Sequence, residues 1–168
     1  NELMPASESG QNASDEPYAP IAIPADIEVR TNASIAQLIY TNLDLRNVRS
    51  KVALGNQIAL LEEFEADGLG GKLNMSGSYN AQDLTKPGFH FKYDLQQLDF
   101  KQVFEKFNTM RKLAPIGSYL QGRFSTSMVM DGFLSSDMSP IPSSLDAAGF
   151  LETFNSILKG FKPLEGLA

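Results

Sequence analysis

The sequence predicts a mainly β domain: a curved antiparallel sheet of several long strands with one or two short helices. Three observations indicate this class. Apolar and polar residues alternate with a period of two over long stretches, Gly- or Asn-containing turns separate these stretches, and one central segment has a helical period instead. At 168 residues and 42% hydrophobic content, the chain is long enough to bury a core.

Residues 1–20 are expected to form a flexible linker or tail, and residues 21–168 the β domain. The tail is rich in Ser, Glu, Asn, Pro and Gly, so it cannot bury enough surface to offset its ordering entropy. The chain starts at Asn1 with no signal peptide. We therefore expect the domain to be a fragment of a longer chain.

The first strand is expected from residue 27 to 33, with a second small strand at 37–40. The next strand changes phase at Arg46–Asn47, because Leu43 and Leu45 alternate in one phase while Val48, Val52 and Leu54 alternate in the other. Such a slip is typical of a β-bulge, and a turn is the competing interpretation.

Gly55–Asn56 predicts a hairpin into a third strand. Glu62 interrupts the apolar phase of that strand and predicts a bend or an edge. The residues expected on its apolar face are Ile58, Leu60, Phe64 and Ala66.

The clearest strand is Leu69–Tyr79, which follows a reversal at Gly68–Gly71. Its polar residues alternate with an apolar face formed by Leu73, Met75, Gly77 and Tyr79. After a loop at 80–88, a further strand is expected at His90–Leu98. Its apolar phase consists of Phe89, Phe91, Tyr93 and Leu95.

A helix is expected at Phe100–Lys112, where apolar residues recur at helical spacing after Asp99, a suitable N-cap. Pro115 should end it. A strand then follows at Gly122–Gly132, with Phe124, Met128 and Met130 on one face, and a Ser- and Pro-rich loop at 138–144. Residues 147–158 fit both a helix and a strand, and propensity alone favours helix.

The composition argues against several classes of function. A net charge of −6 disfavours nucleic acid, and the absence of cysteine excludes disulfides and thiolate metal sites. The single histidine, His90, is expected on the polar face of its strand, and no nucleophile motif accompanies it. The acidic stretch at 62–67 is expected to be a solvated strand rather than a calcium site. We therefore predict no enzyme activity, no metal and no cofactor.

Several segments, in this order, resemble the C-terminal region of the AsmA family of Gram-negative envelope proteins. They cover most of Asn32–Ala168, and the matching pieces are residues 32–79, FKYDLQQLDFKQVFEKFNTMRKLAP, GRFSTSMVMDG, SSLDAAGFLETF and LKGFKPLEGLA. In the family the last strand ends before an F-K-P-L element, which favours a strand at 147–154 here. The chain departs from the family at Ala147–Ala148, where a glycine is common.

The resemblance implies a non-enzymatic periplasmic protein tethered to the inner membrane by a transmembrane helix outside this fragment. It implies a role in outer-membrane biogenesis, related to the TamB-type proteins that carry lipid along a β-sheet groove. The expected partners are phospholipid or another acyl-chain lipid and other domains of the same longer chain. The candidate lipid-binding residues are Leu73, Met75, Phe91, Tyr93, Met128 and Met130.

The alternative is a structural or protein-interaction domain, in which the same residues are ordinary core. In that case Phe104 and Phe107 of the helix cover the apolar face, and the sheet edges pair with a neighbouring domain or chain.

Overall fold

A computed structural model describes residues 19–107 and 119–158. These residues form one open, curved sheet of seven antiparallel strands in sequence order. The strands are β1 (Val29–Tyr40), β2 (Leu43–Gly55), β3 (Ile58–Gly68), β4 (Gly71–Asn80), β5 (Gly88–Asp99), β6 (Leu120–Phe133) and β7 (Asp146–Leu158). A helix, α1 (Phe100–Lys106), follows β5, and a short 3-10 turn, Pro142–Ser144, lies between β6 and β7. The predicted fold class is confirmed.

Residues directly opposite on antiparallel strands point to the same side of the sheet, so the register assigns each residue to a face. From β2 to β6, one face is mainly apolar and the other mainly polar. One apolar row runs from β2 to β7 through Val52, Leu61, Gly77, Phe91, Met130 and Ala147. A neighbouring row runs through Phe64, Met75, Tyr93, Met128 and Gly149. The predicted apolar faces of β4, β5 and β6 are therefore confirmed.

Helix α1 covers one end of the apolar face. Its N-cap is as predicted, since an Asp99 carboxylate oxygen accepts a hydrogen bond from the Gln102 backbone N–H at 2.9 Å. Packing holds the helix in place, with the Phe100 and Phe124 ring centroids 4.4 Å apart. The buried cluster at this end consists of Leu45, Val48, Ala66, Leu69, Leu73, Leu98, Phe100, Val103, Phe104 and Phe124.

The helix ends at Lys106, because Phe107 is already extended, with φ −111° and ψ 98°. The predicted end at Lys112 is therefore too late. Residues 108–112 and Pro115 lie outside the described residues, as do residues 1–18 of the expected tail. No helix in the described part of the chain is long and apolar enough to cross a bilayer.

The structure tests three predictions about the first strands. The bulge at Arg46–Asn47 is confirmed, since the β2–β3 register shifts between Arg46 and Arg49 and Asn47 has a φ of 50°. The expected division of the first strand is wrong, because β1 runs unbroken from Val29 to Tyr40. The hairpin after β2 is confirmed, although its positive φ values belong to Asn56 and Gln57 rather than to Gly55.

The predicted apolar face of β3 is half wrong. A register shift between Leu61 and Phe64, at the position where Glu62 predicted a bend, reverses the phase of the strand. Phe64 lies on the apolar face, as expected, whereas Leu60 pairs with Ser78 on the polar face and is 38% exposed. Leu61 takes the inward position instead.

The last described segment, β7, is a strand, so the helix favoured by propensity is wrong. It pairs with β6 through most of its length, as the position of the last strand in the resemblance favoured. Apolar side chains are exposed on both of its faces: Phe150 is 60% exposed on one face and Leu151 is 63% exposed on the other.

Candidate functional site: an apolar trough

Beyond the end that α1 covers, the apolar face of the sheet has an open hollow of about 480 Å³. We call this hollow the trough. Its lining is almost entirely apolar and comes mainly from Val52, Ala59, Leu61, Gly77, Tyr79, Phe89, Phe91, Met130, Leu134 and Pro140. Every strand from β2 to β6 contributes to it, together with the loop that leads to β7.

Gly77 forms the floor of the trough, between Leu61 on β3 and Phe91 on β5. A Cβ at this position would lie 2.6 Å from the His90 carbonyl oxygen, so the strands could not approach as they do. The missing side chain also leaves space over the centre of the sheet. Gly77 therefore accounts for both the close strand packing and the depth of the hollow.

The structure divides the six predicted lipid-binding residues into three groups. Phe91 and Met130 line the trough. Tyr93 and Met128 are half-buried in the adjacent row, with the Phe91 and Tyr93 ring centroids 6.1 Å apart. The other two lie towards the helix.

Met75 is half-buried and packs against the buried cluster, and Leu73 belongs to that cluster at 6% exposure. The placement of Leu73 in a groove is therefore corrected, because Leu73 lies in the core beneath α1. Phe107, expected to help fill the apolar face, is 38% exposed.

Of the ten trough residues named above, sequence reasoning predicted Phe91 and Met130 as site residues and missed the other eight, among them Val52, Leu61, Phe89 and Leu134. Val52 and Phe89 carried a signal, since each falls in the apolar phase of its strand. Leu61 falls outside the apolar phase expected for β3, because the bend predicted at Glu62 does not by itself show that the phase reverses there. Leu134 lies in a loop, where apolar and polar residues follow no regular alternation.

The loop after β6 is ordered by its own hydrogen bonds. The Ser135 backbone N–H donates to the Ser139 carbonyl at 2.9 Å, and the Ser139 N–H donates to an Asp137 carboxylate oxygen at 3.1 Å. Hydrogen bonding from the Ser135 hydroxyl lowers the pKa of Asp137 below its ordinary value. The loop thus holds Leu134 and Pro140 at the edge of the trough.

The polar face carries cross-strand ion pairs between Lys51 and Glu63 and, at 3.9 Å, between Arg49 and Glu65. The hydrogen bond to Glu63 raises the pKa of Lys51. His90 lies on this face as predicted, with its Nδ1 2.7 Å from Asp131. Within residues 19–107 and 119–158, no three His, Asp or Glu side chains are gathered as a metal ion would require. The polar face therefore has the character of a solvated surface.

Comparison with known proteins identifies no relative of this chain, so its function is argued from the geometry of the trough. No family model matches the chain, and neither a curated protein nor a solved structure is significantly similar to it.

Proposed function

We propose that this domain is a non-enzymatic lipid-handling module that holds an acyl chain of a phospholipid in the trough. The observation that carries this proposal is the open apolar hollow of about 480 Å³ on the face that α1 covers only at one end. This volume lies within the ~300–1,000 Å³ range of small-molecule sites.

The chemistry of the lining supports an apolar guest. The described residues that line the trough include no Lys, Arg, Asp or Glu, and the His90 side chain is bonded to Asp131 on the polar face, so a lipid headgroup would remain in water. Met130 supplies a flexible side chain, which suits an acyl chain that is irregular in shape and exchanges readily. Phe91 supplies an aromatic surface. Exposed apolar surface of this kind commonly marks a binding site in soluble domains.

The wider setting of the proposal rests on the resemblance to the AsmA family. On that basis, lipid binding serves outer-membrane biogenesis in a periplasmic chain. That chain is tethered to the inner membrane by a helix outside this sequence, and it takes lipid as a partner without needing a cofactor.

The test is uptake of a fluorescent phospholipid from vesicles, measured for two variants that place a carboxylate on opposite faces of β6. Met130→Glu puts the charge in the trough, whereas Val129→Glu puts it on the polar face beside Lys92. We expect Met130→Glu to reduce uptake at least about tenfold, because a carboxylate against an acyl chain is costly to desolvate. Val129→Glu should take up lipid like the wild type.

Far-UV circular dichroism of both variants shows whether the sheet is retained. Equal uptake by the two variants, or a wild-type domain that takes up no lipid, would reject the trough as the lipid site.

A second candidate function is strand addition at β7. β7 is an edge strand among the described residues, and an edge presents backbone N–H and C=O groups that can pair with another strand. It also exposes apolar side chains on both faces, which a bound partner would cover. A strand of another molecule, such as a second copy of this domain, would then pair with β7. A wild-type domain that takes up no lipid and associates with increasing concentration in sedimentation experiments would favour this second function.

A further inference from the structure

The segment Ala19–Glu28, here called the strap, crosses the end of the apolar face opposite α1. It has no regular secondary structure and leads directly into β1. The Tyr79 hydroxyl on β4 donates a hydrogen bond to the Ile21 carbonyl oxygen at 3.0 Å. The same hydroxyl lies 3.9 Å from Met138 Sδ, in the loop after β6. The strap therefore meets that loop over Tyr79.

A second hollow, of about 540 Å³, lies between the strap and the sheet. The strap contributes residues 21–24 and Ile27, and the rest of the lining comes from Leu54, Ala59, Tyr79 and Met138. Like the trough, it is almost entirely apolar. Ala59 and Tyr79 line both hollows, so Tyr79 stands between two apolar spaces of similar size.

The strap is weakly attached for a segment that covers an apolar surface. Among the described residues, the bond from Tyr79 to Ile21 is the side-chain hydrogen bond that ties the strap to the sheet. Ile21 is 63% exposed and Ile27 41% exposed, while Ile23 is half-buried. Segments with few buried contacts and few hydrogen bonds open at low free-energy cost.

We propose that the strap is a displaceable cover, held by Tyr79, whose opening joins the second hollow to the trough. A lipid chain that enters the trough would then extend past Tyr79 into the space beneath the strap. Apolar contacts with the strap would be exchanged for apolar contacts with the chain, so the open and closed states would be close in free energy. The nature of the ligand rests on the proposed function, whereas the opening of the strap can be tested without lipid.

The lipid-free test uses a single introduced thiol, which is unambiguous because the chain has no cysteine. Ile23→Cys places this thiol on the half-buried strap residue, and its alkylation rate by a maleimide reports opening. Tyr79→Phe removes the hydrogen bond and keeps the ring. We expect alkylation to be about two- to tenfold faster in that background, the range that one hydrogen bond supports. Tyr40→Phe, which removes a hydroxyl at the exposed end of β1 from a residue that lines neither hollow, should leave the rate unchanged.

The lipid test measures the rate of uptake of a fluorescent phosphatidylethanolamine from vesicles of phosphatidylethanolamine and phosphatidylglycerol. Tyr79→Phe should accelerate uptake, while Tyr40→Phe should not. Circular dichroism and the urea midpoint establish that both variants are folded.

The outcomes separate the two proposals. Unchanged alkylation in the Tyr79→Phe background would overturn the displaceable strap, whatever the lipid result. Faster alkylation with unchanged uptake would overturn its role in admitting lipid. No uptake by any of the proteins would overturn the proposed function, while faster alkylation in the same set would still support the strap as a cover.

Discussion

At the scale of single residues, two hairpin glycines, Gly71 and Gly55, differ in how closely other backbone approaches them. Gly71 begins β4, and a Cβ there would collide with the Gln96 carbonyl oxygen and lie 2.7 Å from the Gln97 carbonyl carbon. Gly55 ends β2, and a Cβ there would meet only Glu28 Cγ at 3.8 Å and the Ile27 carbonyl oxygen at 3.9 Å.

We therefore expect opposite results from the same substitution at these two positions. Gly71→Ala should lower the free energy of unfolding by about 1–3 kcal/mol, because backbone must move to admit the methyl group. Gly55→Ala should change it by less than about 1 kcal/mol, with any effect towards stabilisation through the unfolded state. Urea denaturation measures the free energy of unfolding of both variants. Equal losses would show that the conformational entropy of glycine in a strand, rather than the close approach of the neighbouring backbone, determines the cost of the substitution.

The sequence indicated a turn at Gly68–Gly71 but not the reason for Gly71. That reason is the backbone of β5, more than twenty residues further along the chain, which no local pattern reveals. The positive φ values at the turn belong to Leu69 (55°) and Gly70 (81°), so only one of the two adjacent glycines is needed for backbone conformation.

At the scale of elements, α1 is too short to be stable by itself, with only seven residues. Its position depends on the buried side chains of Phe100, Val103 and Phe104 and on the Asp99 cap. We expect Asp99→Ala to lower the free energy of unfolding by about 0.5–2 kcal/mol, since a backbone N–H at the helix start loses its acceptor.

Asp99→Asn is the matched control for this change. Asparagine also caps helices well, so it should retain most of the stability measured by urea denaturation. If the two variants lost the same amount, the negative charge rather than the hydrogen bond to Gln102 would be the stabilising feature.

Sequence reasoning placed parts of β3 and β7 wrongly, for different physical reasons. In β3, Glu62 indicates a bend, but the residue at which the phase reverses is set by pairing with β4, so the sequence does not show that Leu61 rather than Leu60 lies on the apolar face. In β7, apolar residues occupy both faces, and a two-sided apolar strand satisfies a period of 3.6 as readily as a period of two. Where one face was clearly polar, as in β4 and β5, the prediction was confirmed.

At the scale of the whole molecule, the division of the apolar face into a covered and an open part could not be read from the sequence. Strand alternation identified Phe91 and Met130 as apolar-face residues, and it identified Leu73 in the same way. Which of them is core depends on where α1 lies and on which rows of the sheet it reaches. The strap and the loop after β6 reach the trough from distant parts of the chain, so no spacing rule applies to them.

This division predicts that location, rather than side-chain size, decides the cost of removing an apolar residue. Leu98 is 2% exposed within the buried cluster, and Leu98→Ala should cost about 2–5 kcal/mol of unfolding free energy, because it leaves a cavity. Phe91 is larger but half-buried at an open hollow. Phe91→Ala should cost less than about 2 kcal/mol, since it enlarges a space that already exists.

Urea denaturation of the two variants and the wild type gives both values under one set of conditions. A packed core would remove the difference between the two variants, because truncating a fully buried Phe costs about 3–5 kcal/mol. A Phe91→Ala loss as large as that of Leu98→Ala would therefore mean that the trough is filled in solution, which would favour the interaction domain over the lipid module. A small loss for Phe91→Ala, combined with reduced lipid uptake, would mean that this side chain contributes to binding more than to folding.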